Sequence, residues 1–106
     1  MTTIEVIPVR TVQLRRYKVA AGQMEGWLEE WATEVRPLRE AHGFEVLGAW
    51  AVEESNEFVW VIAYDGEGTF EEADAAYYGS PERAALEPDP ARLLVEVRKD
   101  LVREVV

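Results

Sequence analysis

The 106-residue chain has no cysteine, one histidine and 11 basic residues against 21 acidic ones. Without cysteine there can be no disulfide, no thiolate metal site and no cysteine nucleophile, a composition suited to a reducing compartment. The net charge of -10 would repel a phosphate backbone, so nucleic acid is not an expected partner. The only serines are Ser55 and Ser80, and neither sits in a nucleophile elbow or beside a base, which argues against serine catalysis. "MTTIEVIPVR" has no basic start followed by an apolar run, and no later run approaches membrane length. A cytoplasmic protein that avoids the membrane is expected.

What is present is a globular composition, with 48% hydrophobic and 30% charged residues, sized for one domain that buries about two thirds of its unfolded surface. "TVQLRRYKV" (11–19) places Val12 and Leu14 on one side and Tyr17 and Val19 on the other, and its β-branched and aromatic residues predict a strand. From Gly22, Met24, Trp27, Leu28, Trp31, Val35 and Leu38 follow the three- and four-residue spacing of one helical stripe. Pro37 predicts a kink near Arg36, and Gly43 a stop after Ala41 or His42. "FEVLGAWAVE" then alternates with period two, placing Trp50 with Phe44 and Val46. After "ESN", "EFVWVIAY" sets Phe58, Trp60, Ile62 and Tyr64 against Val59, Val61 and Ala63. This hairpin is apolar on both faces. Helices can cover one face, and a second copy of the sheet most economically covers the other, so patterning predicts a homodimer.

The stretch "AYYGSPERAALEPDP" (76–90) combines two tyrosines, an arginine and three prolines. It follows a helix that Thr69 and Glu72 open with a reciprocal capping box and that places Phe70, Ala73 and Tyr77 on one face. Ser80-Pro81 and Asp89-Pro90 each pair a capping residue with proline at the first helical position, so the prolines are expected to restart short helical turns as the chain rounds a corner. The C-terminal "LLVEVRKDLVREVV" fits a helix or a strand by local pattern, while a last strand beside the first would complete the sheet. The resulting order βαββαβ is ferredoxin-like: an α+β fold with an antiparallel four-stranded sheet and two main helices on one face.

"VQLRRYKVAAGQMEGWLEEW", "VRPLREAHGFEVLGAW", "NEFVWVIAYDGEGTFEEAD" and "YYGSPERAAL" occur in this order and resemble the NIPSNAP family across residues 11–106. The resemblance implies a dimeric α/β barrel in which two ferredoxin-like sheets pack face to face around a lumen, and it favours a strand at the C-terminus. It implies no defined activity. Residues 1–10 precede the resemblance and are expected to form an extended arm. The wider barrel superfamily includes cofactor-independent monooxygenases, isomerases and haem proteins similar to chlorite dismutase, all fold-level analogies.

Tested on the residues present, haem would want an axial histidine in an apolar pocket. His42 instead sits where the first helix ends, a favourable place for a cation. The acids Asp65, Glu67, Glu71, Glu72 and Asp74 lack the ordered spacing of a calcium loop, and no metal or cofactor is expected. There remain Trp50, Trp60, Tyr64, Tyr77 and Tyr78 as aromatics that could line an apolar pocket, with Arg36 or Arg83 to hold a carboxylate or oxyanion. Three classes stay open. The first is a homodimeric barrel binding a small apolar or aromatic molecule in its lumen. The second is a cofactor-independent monooxygenase or isomerase with catalytic candidates His42, Tyr78 and Arg83. The third is a non-catalytic structural or regulatory module.

Overall fold

The computed structural model describes residues 10–105; the arm expected over residues 1–10 lies outside them except for Arg10. The chain runs β1 (Thr11–Val19), α1 (Met24–Glu30), a π-helical segment (Trp31–Val35), α2 (Arg36–Ala41), β2 (Glu45–Val52), a 3-10 turn (Glu53–Ser55), β3 (Glu57–Tyr64), α3 (Phe70–Tyr78), α4 (Pro81–Ala84), a second 3-10 turn (Pro90–Leu93) and β4 (Leu94–Val102). The strands form one sheet in the order β2-β3-β1-β4 with every neighbouring pair antiparallel. This is the ferredoxin-like α+β arrangement. The C-terminus is a strand beside the first, because an alternating segment gains a full ladder of backbone hydrogen bonds there that local periodicity does not reveal.

Helices cover one face of the sheet. Tyr17 and Val19 from β1 and Phe58, Trp60 and Ile62 from β3 meet Trp27, Trp31 and Val35 from the first helical run and Phe70 and Tyr77 from α3. The aromatics meet edge to face, with Trp31 against Trp60 at 5.5 Å and Tyr17 against Trp27 at 5.6 Å. Such pairs contribute about 1 kcal/mol each beyond area burial.

The disturbance expected near Arg36 takes the form of the π-helical segment Trp31–Val35, just before Pro37. Proline has no N–H to donate and crowds the preceding turn, and a wider turn relieves both. It also affects the stripe Trp27, Trp31, Val35, Arg39, all buried. Four-residue steps in a regular α-helix drift by about 40° each. The wider turn counters that drift and holds Arg39 over the sheet.

A correction concerns β2. Strict alternation places Trp50 with Phe44 and Val46, yet the β2–β3 register shifts between Val46 and Gly48: Val46 pairs with Ile62, Gly48 with Val61 and Trp50 with Val59. This bulge moves Trp50 to the face away from the helices, where it is 57% exposed. Its ring lies across Gly48, where an added Cβ would fall 2.4 Å from the ring. That face also carries Val12, Leu14, Val61 and Ala63 by register, Val12 and Ala63 buried and Leu14 and Val61 half-buried, beside a charged corner formed by Arg16, Lys18, Glu57, Glu96 and Arg98.

The broken stretch after α3 behaves as its caps require. Thr69 and Glu72 form the reciprocal capping box, Ser80 Oγ accepts from the Arg83 N–H at 3.1 Å, and Asp89 accepts from the Ala91 N–H at 2.9 Å. Thr69→Ala should lower the unfolding free energy by about 1 kcal/mol with an unchanged denaturant slope, and Thr69→Ser should restore most of it. Urea unfolding followed by circular dichroism checks both.

Candidate functional site

Antiparallel register brings residues that are far apart in sequence onto common rungs of the sheet. On the helix-covered face, one rung runs Ala49, Trp60, Arg15, Lys99, and the next runs Ala51, Phe58, Tyr17, Val97. Helices cover the inner part of these rungs, while Val97 and Lys99 on the edge strand β4 stay exposed. Between them lies a cavity of about 320 Å³. Its floor includes Trp60, Arg15, Tyr17 and Lys99; its roof includes Trp27, Arg39, Tyr77 and Arg83. Tyr78, 45% exposed, and Val97, 48% exposed, stand at its mouth.

Arg15 anchors the floor at 1% exposure. Its Nε donates to the Tyr17 hydroxyl at 2.6 Å, one terminal nitrogen to Gln13 Oε1 at 2.8 Å, and the other to the Tyr78 hydroxyl at 2.8 Å. Burial opposes its charge, but the oxygens of Tyr17 and Tyr78 favour it, and the guanidinium pKa lies above its ordinary value. Burial raises the Tyr17 phenol pKa despite the opposing pull of Arg15. Tyr17 is therefore a neutral hydroxyl near pH 7, able to polarise a ligand and unsuited to act as a base.

Arg39 is also 1% exposed. It donates to Asp74 at 2.7 Å, and its guanidinium carbon lies over the Tyr77 ring, 3.8 Å from the centroid. Burial raises the Tyr77 pKa, with Arg39 and Arg83 acting against it. Arg83 donates to Asp89 at 2.9 Å. Burial disfavours the Asp89 carboxylate, but the Ala91 N–H and Arg83 outweigh that penalty and depress its pKa.

Of the residues expected from sequence, Trp60, Tyr77, Tyr78 and Arg83 come together in this cavity. The others do not. Trp50 lies on the opposite face of the sheet. The Tyr64 hydroxyl donates to the Glu67 carbonyl at 2.7 Å and its ring packs on Phe44, which commits it to the turn after β3. Arg36 pairs with Glu40 at 3.4 Å and lies 5.9 Å from the centroid of the buried Trp31 ring, outside the cavity lining. His42 caps α2 with its ring edge-on to Tyr77 at 5.6 Å, outside the cavity lining. Arg15 and Arg39 were missed. Both carried a signal: Arg15 shares the alternation of Tyr17 and Val19, and Arg39 continues the four-residue steps from Trp27.

The NIPSNAP family profile matches residues 12–105. Among solved structures, a NIPSNAP domain protein from Burkholderia xenovorans superposes with a TM-score of 0.76 at 19% identity, covering 89% of this chain and 93% of that one. A NIPSNAP family protein with unknown function from Agrobacterium tumefaciens gives 0.77 at 18% identity, covering 90% and 87%. A putative antibiotic biosynthesis monooxygenase from Bacteriodes thetaiotaomicron gives 0.69 at 16% identity, covering 92% and 90%. No curated protein matches the sequence.

Arg39→Met should cost about 3 kcal/mol of stability, because it leaves the half-buried Asp74 unpaired; urea unfolding measures it. A second expectation concerns pH. Since the Asp89 pKa is depressed on folding, its contribution is present above the unfolded value of about 3.9 and is lost as pH falls through the folded value. Asp89→Asn should flatten that part of the acid stability profile, as followed by thermal unfolding between pH 5 and pH 2.

Proposed function

Since the chain belongs to the NIPSNAP family, we propose that it is a homodimeric binding protein of the cytoplasm that holds a small apolar or aromatic molecule in each protomer. The observation that carries this reading is the cavity itself. Its volume of about 320 Å³ lies at the lower end of the range for ligand sites, and its walls combine aromatic rings with a few convergent polar groups. The site lies between sheet and helices, on the face opposite the one that a partner sheet would cover, so the ligand is assigned to this cavity and not to a lumen between two sheets.

The case for a second copy rests on the exposed part of the face away from the helices. Trp50 and Val102 on that face are 57% and 40% exposed, and they adjoin a corner where Arg16, Lys18 and Arg98 alternate with Glu57 and Glu96. A patch with an apolar centre and both charge signs at its edge can meet its own copy across a two-fold axis.

Catalysis is a second reading, favoured by the Tyr78 hydroxyl that Arg15 holds at the cavity mouth. A phenol fixed by a guanidinium can deliver or stabilise a proton on a bound planar substrate. Tyr78→Phe would then abolish turnover of a bound compound while leaving its affinity within about twofold.

Native mass spectrometry of freshly purified protein tests assembly and occupancy together. A dimer with extra mass released on denaturation is the expected result. Trp50→Glu should convert the dimer to monomer without loss of secondary structure, because Trp50 contributes little to the protomer core. A monomeric wild-type chain would remove the shared face and leave the cavity to be judged by ligand binding alone.

A further inference from the structure

Among the described residues, the cavity wall contains four basic residues, Arg15, Arg39, Arg83 and Lys99, and no acidic residue, in a chain with nearly two acids for every base. Asp74 and Asp89 lie outside the wall and neutralise Arg39 and Arg83. Among the described residues, Arg15 and Lys99 make no ion pair with a carboxylate. They also stand directly opposite each other in the β1–β4 register. Like charges in that position destabilise a sheet, and an anion bound above the rung would relieve the repulsion.

The unpartnered polar atoms point the same way. Trp27 Nε1, Arg39 Nε and Arg83 Nε are buried without a hydrogen-bond partner, and each belongs to a residue of the cavity wall. All three are donors. Arg15 adds to them, since its three bonds go to neutral oxygens and each terminal nitrogen retains a further N–H. Buried donors left unmade are costly. A surplus of donors around two cations without an ion-pair partner calls for a ligand that only accepts, and an ionised carboxylate has that property. The aromatic walls call for a flat apolar body attached to it.

We infer that the cavity recognises a planar aromatic carboxylate, with the carboxylate over the Arg15–Lys99 rung and the ring between Trp27, Trp60 and Tyr77. This deepens the binding reading above and rests on it. Tyr78 shares the rung: its hydroxyl accepts from Arg15 and its ring lies 5.7 Å from Lys99 Nζ. The bound carboxylate takes over part of the Arg15 donation that the phenol now receives.

The test compares 1-naphthoate with its uncharged isostere 1-naphthamide by isothermal titration calorimetry at pH 7, using the intact chain. The acid should bind at least about tenfold more tightly, as expected for charge-assisted bonds replacing neutral ones. Lys99→Gln, at an exposed position where folding is not at risk, should remove most of that advantage. It should also raise the melting temperature of the ligand-free protein by relieving the like-charge pair, a shift that an ordinary surface lysine would not give. Arg15→Met should abolish the preference for the acid if the variant folds. Equal binding of acid and amide overturns the anion assignment and keeps the cavity as an apolar binding site. No binding of either compound overturns both.

Discussion

A charged guanidinium embedded in the hydrophobic face of a sheet is the constraint around which this protein is arranged. Arg15 occupies a core position of β1, between Trp60 on one neighbouring strand and Lys99 on the other. An isolated ion there would be very costly. It is tolerated because Gln13 and Tyr17 flank it on the same face of the strand and Tyr78 reaches it from the end of α3. The rings of Tyr17 and Trp60 lie 5.5 and 5.8 Å from the guanidinium carbon and add the pull of their electron-rich faces. Had a leucine stood at this position, the helices could have closed onto the sheet, and the two tyrosine hydroxyls would have lost their partner.

Two departures from regular secondary structure make room for that group. The π-helical turn before Pro37 keeps Val35 and Arg39 over the sheet where a regular helix would have rotated them away. The bulge in β2 sends Trp50 to the opposite face, leaving the small residues Ala49 and Ala51 beneath the helices. The large rings that remain on the covered face then come from β1, β3 and the helices and define the cavity walls.

Much of the fold was legible from local chemistry. The stripe from Met24 to Leu38, the alternation in the hairpin and the capping pairs at Thr69, Ser80 and Asp89 each follow from a short-range rule and each appears in the structure. The β2 bulge was not legible, because one extra residue changes every later side-chain direction without altering composition. The site was half legible. Tyr77, Tyr78 and Arg83 stood out because they crowd an irregular stretch. Arg15 and Arg39 sit at apolar positions of otherwise ordinary patterns, where a charged residue is easily read as a solvated surface side chain. Only the register, which pairs Arg15 with Lys99, and the stacking of Arg39 on Tyr77 show these cations to be buried or clustered.

The two faces of the sheet therefore answer different physical demands. The face away from the helices presents Trp50 and Val102 to solvent, edged by charges of both signs, which suits a flat contact with a like surface. The covered face has, among the described residues, two cations without an ion-pair partner, Arg15 and Lys99, and a few buried donors without acceptors, which suits a small guest of opposite character. The strong negative charge of the whole chain sharpens this contrast. Long-range repulsion slows the approach of an anion, so the proposed recognition of one would rest on short-range hydrogen bonds and fixed charges within the cavity. Interactions there act at low local dielectric, where they are strongest and least screened by salt, and the sheet register holds the Arg15–Lys99 pair in place.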